Sequence, residues 1–109
     1  MIIVSQDRKM LINFNSIVSV YVIKNCVSKD YVSEEDKGYN IDFATNEEIN
    51  FVLATYKTEE RAKEVLQQIA CRYSSEEMYK RADSKTQEVL TRKYLEIEII
   101  PYIFEMPEK

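Results

Sequence analysis

The sequence predicts an α+β fold: an antiparallel sheet of four to six strands packed by one amphipathic helix, with a second, more polar helix and a C-terminal strand. Three patterns predict it. Segments of alternating or β-branched residues fill the first half, apolar residues recur every three or four positions after residue 58, and alternation returns near the end. With 109 residues, 45% hydrophobic and 31% charged, the chain has the size and composition of one globular domain, residues 1–109.

The strands of the first half are predicted from short apolar or alternating segments. Residues 2–5 form a short apolar strand, and residues 10–14 form a second short strand or continue the first. Residues 16–25 are rich in β-branched side chains, which favour a pleated sheet. Residues 39–45 alternate between apolar and polar positions, and after a polar turn residues 49–56 return as the partner strand, so we expect a hairpin.

A polar, acidic segment, residues 26–38, separates the third and fourth predicted strands and ends at Gly38, the only glycine of the chain. We expect a long hairpin loop there. Long loops frequently carry function, but a solvated surface is the default interpretation of this composition.

The first predicted helix begins after Thr58, whose side chain is a good N-terminal cap. Glu59 and Glu60 follow, where the helix dipole favours negative charge, and Glu59 precedes Lys63 by one turn. A stripe of apolar residues at spacings of three and four predicts one buried face: Ala62, Val65, Leu66, Ile69, Ala70 and Tyr73. We interpret this helix as packing against the sheet; binding of a partner is the alternative.

Residues 74–77, Ser-Ser-Glu-Glu, match a capping box and predict that the first helix ends and a second begins there. The second helix is expected to run to about Tyr94. Its surface carries three pairs in which an acidic residue precedes a basic residue by one turn: Glu76–Lys80, Glu77–Arg81 and Glu88–Arg92. Because its apolar content is thin, we expect this helix to be exposed or to pack on another subunit.

The C-terminal segment alternates again over residues 95–100, which predicts a strand with two glutamates on its exposed face. Pro101 fits an edge, a bulge or a bend, because it cannot donate to a ladder. Residues 102–107 then supply a last extended piece. The predicted element order is β-β-β-β-α-α-β.

The composition excludes several classes of enzyme. The chain has no histidine, and two cysteines that are 45 positions apart, so we expect neither a Ser-His or Cys-His nucleophile nor a zinc site. One glycine cannot form a phosphate-cradling loop. We therefore predict a protein without catalytic residues, metal or cofactor.

The net charge of −4 argues against binding along a nucleic-acid backbone, although it leaves room for a small anionic ligand in a local basic pocket. The N-terminus does not resemble a signal peptide, and the longest apolar runs are far shorter than a membrane span. We expect a cytoplasmic protein with reduced cysteines, Cys26 and Cys71.

Basic and aromatic residues concentrate between residues 72 and 94, and they are the candidate ligand-binding residues. Arginine binds phosphate with two parallel hydrogen bonds, and a tyrosine ring can stack on a base. The candidates are Arg72, Tyr73, Tyr79, Arg81, Arg92, Lys93 and Tyr94. In the alternative interpretation, Arg81 and Arg92 pair with glutamates one turn back on a solvated helix.

Three stretches, "MIIVSQDRKMLINFNSIVSVYV", "ATYKTEERAKEVLQQI" and "FEMPE", resemble small accessory proteins encoded by phages and prophages of Firmicutes. The resemblance covers both ends and the middle, and departs in residues 26–38 and in the second helix. It implies a factor that acts against host defence in the host cytoplasm. One relevant type is the Thoeris anti-defence family, multimeric sponges that sequester a cyclic nucleotide or cyclic ADP-ribose signal.

These observations favour a non-enzymatic, self-associating protein that sequesters such a signal, with its phosphates bound by the arginines and its bases stacked on tyrosines. Under this hypothesis the weakly amphipathic second helix mediates self-association, so that subunits share a pocket. The alternative is an acidic inhibitor or adaptor that binds a basic host protein. That alternative rests on the acidic residues Glu34, Glu35, Asp36, Glu47, Glu48, Glu96 and Glu98.

Overall fold

The computed structural model describes residues 1–25, 38–47, 50–96 and 102–109, with the backbone alone for Tyr94 and Leu95. A short 3₁₀ helix at Phe14–Ser16 follows the second strand. The strands and helices are β1 (Ile2–Val4), β2 (Leu11–Asn13), β3 (Ser19–Lys24), β4 (Tyr39–Ala44), β5 (Asn50–Tyr56), α1 (Glu59–Arg81), α2 (Ser84–Glu96) and β6 (Ile103–Glu105).

The α+β class predicted from the sequence is confirmed, and the described strands form two three-stranded sheets. In the first sheet β1 is central, antiparallel to β2 and parallel to β6. In the second, β4 is central and antiparallel to both β3 and β5. The parallel pair arises because the chain reaches β6 only after both helices, and parallel strands require such a long crossover.

A bulge in β5 changes which of its residues face the core. Asp42 lies opposite Val52 and Ile41 lies opposite Ala54, so Leu53 is an extra residue without a partner on β4. Extra residues of this kind bend a strand and redirect its side chains. Val52 is 46% exposed, whereas Leu53 is 2% exposed and packs in the core.

Gln6 joins the two sheets. Its backbone N–H donates to the Leu53 carbonyl oxygen at 2.9 Å, so the segment after β1 binds the free edge of β5. Its side-chain amide accepts from the Thr55 N–H at 2.9 Å and donates to the Thr55 carbonyl oxygen at 3.1 Å. The same amide also donates to the Glu108 carbonyl oxygen at 2.9 Å, which fixes the C-terminal segment to both sheets.

Gly38 precedes β4 in a conformation with φ of +86°, in the region that favours glycine. A Cβ atom at this position would collide with the backbone carbonyl of Tyr56 on the neighbouring strand. The only glycine of the chain is therefore required both by the backbone angle and by the close approach of β5.

One hydrophobic core is shared by both sheets and α1. Each element contributes through its inward face, and α1 contacts all three strands of the second sheet. The buried apolar residues are Met1, Ile3, Phe104 and Met106 from the first sheet, Ile41, Phe43, Leu53, Ala54 and Tyr56 from the second, and Ala62, Val65 and Ile69 from α1.

The start of α1 is as predicted. The Thr58 hydroxyl oxygen accepts from the Arg61 N–H at 3.2 Å, and the Glu59–Lys63 pair closes at 2.8 Å. Of the predicted apolar stripe, three residues are buried and two, Leu66 and Tyr73, are half-buried. The prediction is wrong for Ala70, which is exposed on the outer side of the helix.

The predicted break between the helices at residues 74–77 is also wrong, because α1 continues without interruption to Arg81. The Ser75 hydroxyl donates back to the Cys71 carbonyl oxygen at 2.9 Å, as in a helix interior, and Glu76 turns inward. The second helix begins at Ser84 instead. Asp83 caps it, since its carboxylate accepts from the Thr86 N–H at 2.8 Å.

The strand predicted over residues 95–100 is wrong at its start, because α2 continues through Glu96. Residues 97–100 lie outside the described residues. The last extended piece is confirmed as β6, whose Phe104 is buried. Neither α1 nor α2, the helices of the described part, combines the length and the apolar character that crossing a membrane requires.

Replacing Ile69 by alanine tests the shared core. Ile69 is 2% exposed, and removing a buried isoleucine typically costs about 2–5 kcal/mol of unfolding free energy, so we expect a loss in this range. Urea denaturation followed by circular dichroism measures it. Met78→Ala, on the same helix but 73% exposed, is the control and should change the unfolding free energy by less than about 0.5 kcal/mol.

Asp42 lies on the outer face of the second sheet, on its central strand. Its Oδ1 atom is buried and has no hydrogen-bond partner among the described residues. Burial raises the pKa of this carboxyl above its usual 3.8. The folded state therefore holds the proton more tightly than the unfolded chain does, and ionised Asp42 destabilises the fold once the pH exceeds the unfolded value.

Asp42→Asn should consequently raise the unfolding free energy at pH 7 by a fraction of a kcal/mol. The gain should disappear as the pH falls below about 4, where the wild-type carboxyl is neutral as well. Asp7→Asn is the control, and it should lower the unfolding free energy at pH 7. A hydrogen bond from the Ser5 hydroxyl lowers the pKa of Asp7 and stabilises its charged form, which the substitution removes. Urea titrations between pH 3 and 7 would contradict the prediction if both variants lost stability at pH 7.

Candidate functional site

The two helices form a hairpin in which α2 folds back on the C-terminal part of α1. The Gln87 side-chain amide donates to the Tyr79 carbonyl oxygen at 3.1 Å, which satisfies one of the last carbonyls of α1. The hydroxyls of Tyr79 and Thr91 are 2.9 Å apart. Because the Thr91 hydroxyl donates to the Gln87 carbonyl oxygen at 2.8 Å, it accepts from Tyr79.

An open cleft of about 530 Å³ lies along this hairpin. Its size is that of a small-molecule site. Most of the lining comes from one side of α2, at spacings of three and four residues, and Tyr79 is the contribution of α1. The lining residues are Tyr79, Ser84, Gln87, Glu88, Thr91 and Arg92.

The side chains that line the cleft offer three different kinds of contact to a ligand. Arg92 is exposed and, among the described residues, has no ion-pair partner, so its guanidinium can bind an anion. Glu88 is exposed and can accept from ligand hydroxyls. Tyr79 presents an aromatic ring that Tyr102 supports edge-on, with ring centroids 5.8 Å apart. The cleft therefore fits a ligand with an anionic group, hydroxyls and a flat ring.

Arg72 lies elsewhere, in the interior. Its Nε atom is 3.1 Å from Glu76 Oε1, and another guanidinium nitrogen donates to the Ile103 carbonyl oxygen at 3.1 Å. The Arg72 and Glu76 side chains are only 13% and 3% exposed. The structure therefore uses this predicted ligand residue to bind α1 to β6.

Glu76 is the centre of this buried cluster. Besides Arg72, its Oε1 atom accepts from the backbone N–H of Tyr102 at 2.7 Å. Tyr102 has φ of +66°, a conformation that is uncommon outside glycine. Glu76 Oε2 is buried and has no hydrogen-bond partner among the described residues. The cluster fixes where the chain re-enters the first sheet after α2.

Of the remaining predicted ligand residues, one packs against another aromatic ring and two are exposed. Tyr73 is half-buried, and its ring centroid lies 4.8 Å from that of Phe14. Arg81 and Lys93 are exposed but do not line the cleft. The side chain of Tyr94 lies outside the described residues. The structure thus brings Tyr79 and Arg92 together in the cleft, and it leaves Arg72, Tyr73, Arg81 and Lys93 apart from it.

The predicted ion pairs on the helices are rearranged. Glu76 pairs with Arg72, one turn before it, rather than with Lys80. Glu77 pairs with Lys80 at 3.3 Å, three residues away, rather than with Arg81. Lys80 also lies over the Tyr102 ring, 5.8 Å from its centroid. Arg72 and Lys80 are therefore engaged within the fold, whereas Arg92 lines the cleft.

Sequence reasoning missed four lining residues: Ser84, Gln87, Glu88 and Thr91. The signal that could have found them is their spacing, which places them on the same side of α2 as Arg92. Such a polar stripe looks the same as a solvated face until the opposing Tyr79 is known.

A second cavity, of about 390 Å³, lies where β5 meets α1. The Tyr56 hydroxyl donates to the Pro107 carbonyl oxygen at 2.8 Å, and burial raises the pKa of Tyr56 to about 12. Arg61 donates to the Lys109 carbonyl oxygen at 2.8 Å. Because both side chains are engaged with the C-terminal segment, we interpret this cavity as the space beside a packed tail.

The structure describes only some of the residues behind the other predicted features, the acidic face and the two cysteines. Glu47 and Glu96 are exposed, while the rest of the proposed acidic face lies outside the described residues. Cys71 is an exposed free thiol, and Cys26 lies outside the described residues. Within the ranges that the structure describes, no cluster of cysteine, aspartate and glutamate is arranged to hold a metal ion.

Comparison of the chain with protein-family models, curated proteins and solved structures finds no match.

Glu76→Gln tests the buried cluster. The substitution keeps the shape but removes the charge that compensates Arg72, and we expect it to lower the unfolding free energy by about 3 kcal/mol. Glu77→Gln is the matched control: its pair with Lys80 is partly exposed, so it should cost less than about 1 kcal/mol. Equal stability of the two variants in urea denaturation would contradict a structural role for Glu76.

Proposed function

We propose that the protein is a non-enzymatic binding protein that holds a small nucleotide-like anion in the cleft between α1 and α2. The observation that supports this most directly is the joint presence of Arg92, Glu88 and the Tyr79 ring around one open cavity. The groups suit a phosphate, a sugar hydroxyl and a base, in that order.

The arrangement favours binding over chemistry. Ser84 and Thr91 offer hydroxyls but no histidine exists to activate them, since the chain has none. A ligand that enters the open cleft is held by hydrogen bonds and one guanidinium. Capture and release of an intact molecule is the function that such a site supports.

The charge pattern restricts the ligand to a small one. The net charge of −4 repels an extended polyanion, whereas Arg92 needs to neutralise only one anionic group. A cyclic nucleotide or cyclic ADP-ribose has the required groups. Sequestration of such a signal is also what the resemblance to phage accessory proteins implies, so we propose this as the biological role.

Arg92→Ala should weaken binding of the ligand at least about tenfold while leaving the fold intact, because a charge-assisted hydrogen bond contributes about 1.5–3 kcal/mol. Isothermal titration calorimetry with cyclic ADP-ribose and with a cyclic dinucleotide measures the affinity. Arg81→Ala removes the same charge from the same hairpin outside the cleft and should bind as the wild type does.

Native mass spectrometry of protein taken from defence-induced cells complements the titration, since it needs no prior choice of ligand. An added mass of several hundred daltons that is absent from Arg92→Ala supports the proposal. Equal affinities of the Arg92→Ala and Arg81→Ala variants, or no bound species with either approach, would refute the cleft as the binding site.

A further inference from the structure

Edges of β-sheets carry unpaired N–H and C=O groups, and proteins usually cover or interrupt them. Here Gln6 covers the free edge of β5 through hydrogen bonds with Leu53 and Thr55. Arg72 donates to the Ile103 carbonyl oxygen on the free edge of β6. The edge strand β2 is only three residues long. Three of the four sheet edges are thus covered or short.

The fourth edge, β3, is different. It is six residues long, Ser19–Lys24, and within the described part of the chain it pairs only with β4. The Asn25 N–H donates to the Gly38 carbonyl oxygen at 2.9 Å, so the backbone groups of Asn25 face the neighbouring strand. In an antiparallel pair every second residue does so, which assigns the direction of the backbone groups along β3. The backbone groups of Val20, Val22 and Lys24 consequently point away from β4, and among the described residues they have no hydrogen-bond partner.

Strand β3 also carries few of the features that prevent edge pairing. Its sequence, SVYVIK, contains no proline or glycine, and its register with β4 shows no bulge. Its only charge, Lys24, lies at the end. Ile23 is 46% exposed beside the half-buried Tyr21 on the outer face of the sheet. An edge of this length and composition is a ready template for another strand.

We propose that β3 pairs antiparallel with β3 of a second copy of this chain, about a two-fold axis at Val22, so that the two second sheets form one six-stranded sheet. The axis must lie at a residue whose backbone groups point outward, and Val22 is the central one of the three. In this register Val22 lies opposite Val22, Tyr21 opposite Ile23, and Val20 opposite Lys24 of the partner copy.

A second copy fits this edge because the register is self-complementary. Tyr21 and Ile23 meet twice on the outer face, and aromatic with β-branched pairs stabilise antiparallel strands. The two Lys24 residues are about 14 Å apart along the strands, which avoids opposing like charges. A strand pair of six residues is a small interface, so we expect a dissociation constant on the order of micromolar.

The pairing lies apart from the cleft and does not depend on the proposed function. It also differs from self-association through the second helix, because α2 is engaged with α1 of its own chain.

Two double variants that differ at one residue test the register by charge. Tyr21→Lys with Ile23→Lys places lysines opposite each other twice across the proposed interface, whereas Tyr21→Lys with Ile23→Glu places lysine opposite glutamate. In both variants residue 21 is a lysine opposite Asp42 and residue 23 lies opposite the uncharged Asn40, and circular dichroism of each variant must show the wild-type fold before association is compared. Sedimentation velocity under reducing conditions, from 1 to 500 μM protein, measures the association of each.

We expect the wild-type protein to dimerise within this range and the lysine–glutamate variant to dimerise at least about tenfold more tightly than the lysine–lysine variant. Equal association of the two variants would overturn the pairing at β3. A wild-type protein that remains monomeric throughout the range would overturn the second copy as the occupant of the edge.

Cross-linking distinguishes this register from its neighbours. In a background with Cys26→Ser and Cys71→Ser, Val22→Cys should oxidise to a covalent dimer, since Cα atoms of a directly opposed pair are about 5.5 Å apart. Ile23→Cys should not, because the two copies of residue 23 lie diagonally, about 8 Å apart. A dimer that cross-links through residue 23 and not through residue 22 would overturn the two-fold axis at Val22.

Discussion

The buried ion pair between Arg72 and Glu76 is the constraint on which the arrangement of the C-terminal half depends. Two charged side chains inside a protein are costly unless each is hydrogen-bonded, and here both bind β6 or the residue before it. The pair therefore brings the chain back to the first sheet at one fixed point. The residues that line the cleft belong to the segment between Glu76 and Tyr102, and this cluster joins the two ends of that segment.

Specific polar contacts complement the shared hydrophobic core. Apolar burial brings both sheets and α1 together but does not select one alignment. Gln6 selects it, because its backbone and side chain bind β5 and the C-terminal segment at the same time. The same contact covers a sheet edge. Alignment and protection against edge pairing are thus provided by one residue on one side of the second sheet, and among the described residues β3 has no equivalent.

The sequence predicted the elements that depend on local chemistry. The start of α1 follows from Thr58 and the apolar stripe, and both lie within a few turns of each other. The end of α1 was misplaced because a capping box and a helix interior share the same residues, and the deciding partner of Glu76 is Tyr102, 26 positions away. In the cleft, residue type indicated Tyr79 and Arg92, whereas Gln87 and Thr91 required knowledge of the opposing helix.

The parallel pairing of β1 with β6 has a kinetic consequence. Residues at opposite ends of the sequence are neighbours in the first sheet, with Ile3 opposite Phe104. Contacts of such large sequence separation slow folding, because the loop entropy is lost before the contact forms. On the ribosome, β1 emerges long before β6 and must wait for it to be synthesised. Until then, its edge and the buried face of Ile3 are open to other chains, so this fold is most vulnerable to aggregation before β6 is synthesised.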